Sequence, residues 1–132
     1  ISKINKMKII LVEDDKFFRE FYAQKLREKG MEVFQAGDGE EGLRIVTESK
    51  PDIILLDLIM PVKDGFEVLE GLSQNPMAKN VPVLVFSTLG QDQDIQKAMS
   101  LGAKGYVNKS FFDFATLLSR ILELTNKPAP VA

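Results

Sequence analysis

Four places in this chain set reactive side chains directly after a strand candidate, three of them apolar runs. Glu13 and Asp14 follow Met7 to Val12, Asp57 follows Ile53 to Leu56, Ser87 follows Val81 to Phe86, and Lys109 follows Gly105 to Asn108. A short apolar run bounded by turn residues suits a strand buried on both faces of a parallel sheet. In such sheets ligands bind at the carboxyl ends of the strands. Three carboxylates brought together there repel one another, and a hard divalent cation removes that penalty. Mg²⁺ takes oxygen ligands, uses one or two carboxylates and keeps waters for a phosphate. A lysine adds a mobile positive charge suited to a phosphate oxygen, and a serine adds a hydroxyl donor. An acid nucleophile, a cation, a lysine and a hydroxyl are the parts that phosphoryl transfer to a carboxylate requires. Attack by Asp57 would replace about one negative charge with about two. Asp57 alone could be no more than a turn or cap residue at a strand end, but coincidence is a poor account of four strand ends.

The bulk properties narrow the field. A chain of 132 residues with 45% apolar and 27% charged residues has the composition of one ordinary globular domain. The net charge of −2 gives no electrostatic footprint for nucleic acid or an anionic membrane. Cysteine and histidine are both absent, which excludes disulfides, soft transition-metal sites and Ser-His-Asp or Cys-His catalysis. No apolar run approaches the length of a membrane span, and the first residues do not read as a signal peptide. The expected location is cytoplasmic.

The elements that must position these residues alternate. After the first strand, Phe17, Phe18, Phe21, Tyr22 and Leu26 recur at helical spacing and read as a core-facing stripe closed by Gly30. Met31 to Ala36 reads as a strand, and Glu40 to Ser49 as a helix with Leu43, Ile45 and Val46 on its apolar side. After the Asp57 strand, Met60-Pro61 stops regular structure and Asp64-Gly65 makes a turn. Phe66, Val68, Leu69 and Leu72 mark the third helix. Asp92 to Leu101 forms the fourth, with Ile95, Ala98 and Met99 inward. In the last helix Phe114, Leu117, Leu118, Ile121 and Leu122 face inward, and Ser110 with Asp113 resembles a capping box. Asp15 reads as the cap of the first helix. Strand then helix, repeated, predicts an α/β fold: a five-stranded parallel sheet, doubly wound, with right-handed crossovers and helices on both faces.

The motifs LVEDD, LLDLIMPVKDG, VFST and GYVNK, taken together, resemble the receiver domain of two-component response regulators over roughly Met7 to Leu124. The nearest type is the stand-alone chemotaxis-type receiver. The resemblance implies a flavodoxin-like (βα)5 three-layer sandwich with strand order 2-1-3-4-5. Asp57 matches the phosphoacceptor. Asp14 matches the acid that binds Mg²⁺ directly, Glu13 the acid acting mainly through water, and the Ile59 backbone carbonyl a third protein ligand beside Asp57. Mn²⁺ is the alternative ion. Ser87 matches the switch hydroxyl, Tyr106 the aromatic that moves with it, and Lys109 the lysine that contacts the phosphoryl group. The implied donor is a histidine kinase or histidine phosphotransfer protein. The implied readout face for a downstream protein is about Gln91 to Leu101, Gly105 to Asn108 and Asp113 to Asn126. No direct contact with nucleic acid or membrane is expected, and the chain would be a monomer or a dimer formed on phosphorylation. Residues 1–126 are expected to form the receiver, and 127–132 a tail or the start of a linker.

Two departures carry expectations of their own. The family usually has a proline after the lysine, joined by a cis bond, and Ser110 stands here instead. A cis bond to a residue other than proline costs about 2.5–4 kcal/mol, so a trans bond is expected. Ile59, Thr88 and Leu89 form the rim of the site, and branched or apolar groups there hinder an attacking water. Slow self-dephosphorylation is expected. Three competing readings are weaker. A phosphatase of the Asp-x-Asp kind lacks its second acid, because Leu58-Ile59 follows Asp57. A flavodoxin-like cofactor binder needs a phosphate loop where this chain has Glu13-Asp14-Asp15. A degenerate receiver binding partners without phosphate would not need the complete acid set. No turnover of an external substrate is expected.

Overall fold

The computed structural model of this chain describes residues 7–88, 90–110 and 113–125. The elements in order are β1 (Lys8–Val12), α1 (Lys16–Glu28), β2 (Glu32–Ala36), α2 (Gly39–Ser49), β3 (Ile53–Leu56), α3 (Gly65–Ser73), β4 (Val83–Ser87), α4 (Asp92–Ser100), β5 (Gly105–Asn108) and α5 (Phe114–Thr125). The sheet runs β2-β1-β3-β4-β5 with every pairing parallel, the predicted order. β3 lies at its centre. Each of its four residues is at most 1% exposed, so the unbroken apolar run has a physical cause: both faces are covered. Burying one such side chain contributes about 1.5–3 kcal/mol.

Strand alternation divides the core in two. Ile10, Val12, Ile54, Leu56, Val83 and Val85 pack under α2, α3 and α4, through Val46, Val68, Leu69, Leu72 and Ala98. Ile9, Leu11, Ile53, Leu55, Leu84, Phe86 and Val107 pack under α1 and α5, through Ala23, Leu26, Leu117 and Ile121. Asp15, Asp38 and Asp64 cap α1, α2 and α3, each accepting a bond from the backbone amide three residues on. Asp64 does more than turn the chain: with Glu67 it completes a capping box. Gly30, at φ 89°, takes the left-handed conformation that ends α1.

Three sequence expectations are corrected. Phe17 and Phe21 do not join the core stripe of α1; they are 84% and 49% exposed. Phe18, Tyr22 and Leu26, spaced by four, run along one line of the helix and meet the sheet. Phe17 and Phe21 stand about 100° around the axis from that line. Met99 is likewise exposed, and Ala98 takes the inward position of α4. Asp113, rather than Ser110, caps α5, accepting from the Thr116 amide at 2.7 Å.

The Asp113 cap predicts a pH effect. The Thr116 amide, helped by the Thr116 hydroxyl, holds the Asp113 carboxyl below its ordinary value of 3.8. A lowered pKa means that the unfolded chain binds the proton more readily, so the cap stabilises above the unfolded value and fades as pH falls through the folded one. Asp113→Asn keeps an accepting oxygen but loses the charge. Wild type is expected to exceed the variant in denaturant midpoint at neutral pH, and the gap is expected to close as pH falls below the ordinary value of 3.8 and through the lowered folded one.

The loop between β3 and α3 holds Val62 at φ 69° with 73% of its surface exposed. A β-branched residue in this region is strained by about 1–2 kcal/mol. Val62→Asn, whose side chain tolerates the conformation, is expected to raise stability by about 0.5–1 kcal/mol, read as a higher denaturant midpoint at unchanged slope.

Candidate functional site

Register brings the reactive groups together. Val12 pairs with Leu56, so the next residues, Glu13 and Asp57, emerge side by side. The Asp57 amide donates to the Val12 carbonyl at 3.1 Å, one step beyond the paired residues. Ser87 is the last residue of β4 and pairs with Asn108, which puts Lys109 one step further on. The Lys109 amide donates to the Ser87 carbonyl at 3.0 Å.

Asp57 is buried, and both carboxylate oxygens are engaged. Oδ1 accepts from the Ser87 hydroxyl at 2.8 Å and from the Ile59 amide at 3.3 Å. Oδ2 faces the Lys109 ammonium at 3.2 Å. The Ser87 hydroxyl also accepts from the Leu58 amide at 3.4 Å. Lys109 Nζ bonds Glu13 Oε1, while Glu13 Oε2 accepts from the Asp15 amide at 3.0 Å. Burial pushes the Glu13 carboxyl above its ordinary value, and the Asp57 charge adds to that, against the lowering pull of Lys109 and the Asp15 amide.

Asp14 is exposed, in contrast to the buried Glu13 and Asp57, yet all three reach a common point. Their ligand oxygens lie within 4.8 Å of one another. One lysine bonds two of these three carboxylates, and those two are out of water. A hard cation with oxygen preference fits that donor set, and the exposed Asp14 leaves the solvent side open for waters. Mg²⁺ or Mn²⁺ would be held by Asp14, Asp57 and Glu13, with the Ile59 carbonyl as the candidate backbone ligand.

The remaining predicted residues lie around this centre. Ile59 is half exposed and Thr88 exposed, on the solvent side. Leu89 lies outside the described residues, as do Asn126 and the expected tail 127–132. Tyr106 pairs with Val85 in register, which puts its side chain on the same sheet face as Ser87. Its hydroxyl is buried without a hydrogen bond of good geometry. Burial pushes the phenol up, with the charges of Asp94 and Asp57 adding to the rise and the Ser87 side chain drawing it back. The Lys109–Ser110 bond is trans, since no peptide bond among the described residues is cis.

Sequence reasoning passed over two contributors. Arg19 donates to the Glu13 carbonyl at 2.7 Å and so ties α1 to the end of β1. Phe18 places its ring 4.5 Å from Lys109 Nζ. Nothing in the spacing separates these from an ordinary surface arginine and an ordinary core phenylalanine. Only the packing angle of α1 aims them at the site.

Residues 9–122 match the family described as the response regulator receiver domain. Among curated proteins, the DNA-binding dual master transcriptional regulator RpaA of Synechocystis sp. is 33% identical over 120 residues, 91% of this chain and 49% of that protein. The phosphate regulon transcriptional regulatory protein PhoB of Escherichia coli is 28% identical, over 95% of this chain and 54% of its own length. The chain thus spans about half the length of the curated relatives it matches. Among solved structures, the chemotaxis protein CheY4 of Vibrio cholerae superposes with a TM-score of 0.85 at 29% identity, covering 90% of this chain and 98% of that one.

Proposed function

This chain belongs to the family of response regulator receiver domains, and from that premise we propose that it accepts a phosphoryl group on Asp57 and answers by changing its protein-binding face. One observation carries the reading: a buried carboxylate at the end of the central strand meets a hydroxyl, a lysine and two further acids delivered by three other strands. As an Asp57 oxygen forms its bond to phosphorus, the bond from phosphorus to the donor nitrogen of a phosphohistidine breaks, and the imidazole leaves. Lys109 follows the growing charge onto a phosphoryl oxygen, because Oδ2 is the oxygen it already faces. Ser87 rotates its hydroxyl from Oδ1 to the phosphoryl group. A bound Mg²⁺ or Mn²⁺ would supply further positive charge against the phosphoryl oxygens. The protein turns over no other substrate.

The response passes along β4 and β5. When Ser87 moves, the space beside it changes, and the buried Tyr106 hydroxyl on the same face gains or loses a neighbour. Tyr106 lies on the edge strand β5 and packs against the core cluster that includes Ala98 of α4, so its motion would reshape the α4-β5-α5 face, where a downstream protein would bind. A histidine kinase or phosphotransfer protein in the cytoplasm would supply the phosphoryl group. Among the described residues no helix is long and apolar enough to cross a membrane.

Intact-protein mass after incubation with a small acyl phosphate tests the reading. A gain of one phosphoryl group that requires Mg²⁺ is the expected result. A folded protein left unmodified by both the acyl phosphate and a phosphohistidine donor would sink it. The rim carries a further expectation. The half-exposed Ile59 offers water no hydrogen bond, so the phosphoprotein should lose its phosphoryl group more slowly than an Ile59→Asn, Leu89→Glu variant. Equal decay rates would remove the rim as a cause.

A further inference from the structure

Resting on the phosphoacceptor reading above, we propose that Phe18 is a positioning residue for Lys109, its ring holding the ammonium in place between Glu13 and Asp57. Lys109 Nζ lies 4.5 Å from the centre of the Phe18 ring. The same nitrogen bonds Glu13 and approaches Asp57 at 3.2 Å. A lysine side chain is long and free to rotate, and two carboxylates on one side do not by themselves stop it from sliding toward the nearer one. The ring supplies a third anchor. It attracts the positive charge through its face without committing an N–H of the ammonium to another oxygen acceptor. An ammonium has three donors, so the one not given to Glu13 or Asp57 stays available for an incoming phosphoryl oxygen.

The ring is itself fixed. Its centre lies 4.5 Å from that of Tyr22 and 5.6 Å from that of Phe86, and Tyr22 meets Phe86 edge-on at 5.5 Å. Phe86 is fully buried in β4, the strand that carries Ser87. The aromatic group therefore ties the lysine to the sheet through α1. The peptide bond after Lys109 leads to Ser110, so the backbone there lacks the stiffening of a proline ring. Beyond the hydrogen bond from the Lys109 backbone amide to the Ser87 carbonyl, the restraint on this side chain comes from its own contacts, which among the described residues are the Glu13 and Asp57 carboxylates and the Phe18 ring.

The test compares Phe18→Leu, which keeps apolar volume but has no ring, with Phe18→Tyr, which keeps the ring face. Two readouts apply: the proton shifts of the Lys109 Cε methylene, and the rate of Asp57 labelling by acetyl phosphate with Mg²⁺. The leucine variant should lose the ring-current shift and label about three- to tenfold more slowly at saturating donor, with the tyrosine variant restoring both. In a Lys109→Ala background, Phe18→Leu should make no further difference. A leucine variant that labels at the wild-type rate overturns the proposal. So does an equal loss with Lys109 absent, since that would mean Phe18 merely supports the fold. If Phe18→Leu does not unfold cooperatively, Phe18→Met carries the same comparison. If wild type takes up no phosphoryl group, the phosphoacceptor reading falls and takes the role in transfer with it. The methylene shift then still decides whether the ring holds the lysine.

Discussion

Asp57→Asn is expected to take up no phosphoryl group from a small acyl phosphate or from a phosphohistidine donor, a loss of at least about a hundredfold. The variant has the same shape but an amide in place of the carboxylate proposed as the nucleophile. Its Oδ1 still accepts from Ser87 and from the Ile59 amide, so the strand end keeps its geometry. Oδ2 becomes an NH₂ facing the Lys109 ammonium, two donors with no acceptor between them. That contact is lost. In return, one of the three clustered acids no longer repels the other two. Stability should therefore change little, and cooperative unfolding near the wild-type midpoint shows that lost labelling is not lost folding. The chemistry of the adduct gives a second check. An acyl phosphate in wild type is cleaved by hydroxylamine, whereas a phosphate ester on Ser87 or Thr88 is not. A hydroxylamine-resistant adduct that survives in the asparagine variant would remove Asp57 from the centre of the mechanism.

Gly65→Ala is expected to destabilise the protein by about 1–3 kcal/mol and to slow labelling at Asp57 as well. A methyl group at Gly65 would lie 2.5 Å from the Asp57 carbonyl oxygen, 2.6 Å from Leu58 Cα and 2.8 Å from a Leu58 methyl. Two of these three are backbone atoms, which have no rotamer to escape into. The start of α3 folds back onto the end of β3, and the Gly65 amide donates to the Leu58 carbonyl at 3.0 Å. A side chain must push that contact open and shift the peptide that carries Asp57. Stability and reactivity should fall together, read from the denaturant midpoint and from the labelling rate. A variant with the wild-type midpoint and rate would mean that this approach is looser than its geometry implies.

Much of this architecture was legible before folding. The apolar runs ending in Val12, Leu56 and Phe86 marked strands buried on both faces, because exposed runs of that kind would be unstable in water. Alternation with helices made the sheet parallel, and a parallel sheet places every strand's carboxyl end on one edge. Glu13, Asp14, Asp57, Ser87 and Lys109 therefore had to share an edge, whatever the details of packing. The sequence also marked the cap at Asp15, since a short polar side chain before an apolar helix has few other uses, whereas Asp64 read only as a turn and its capping box emerged with the fold.

Helix orientation was a different matter. Five apolar residues in α1 make a stripe too wide to say which margin meets the sheet, and hydrophobicity alone treats Phe17 and Phe18 alike. Docking put Phe18 and Tyr22 against Phe86 and left Phe17 in water. The same rotation decided that Phe18 lies against Lys109 and that Arg19 reaches the Glu13 carbonyl. Composition and order thus determined which groups meet at the strand ends, because topology follows from connectivity and from the hydrophobic pattern. Only the tertiary structure decided how those groups are held, because helix rotation and the close approach of Gly65 to β3 depend on contacts between segments far apart in the chain.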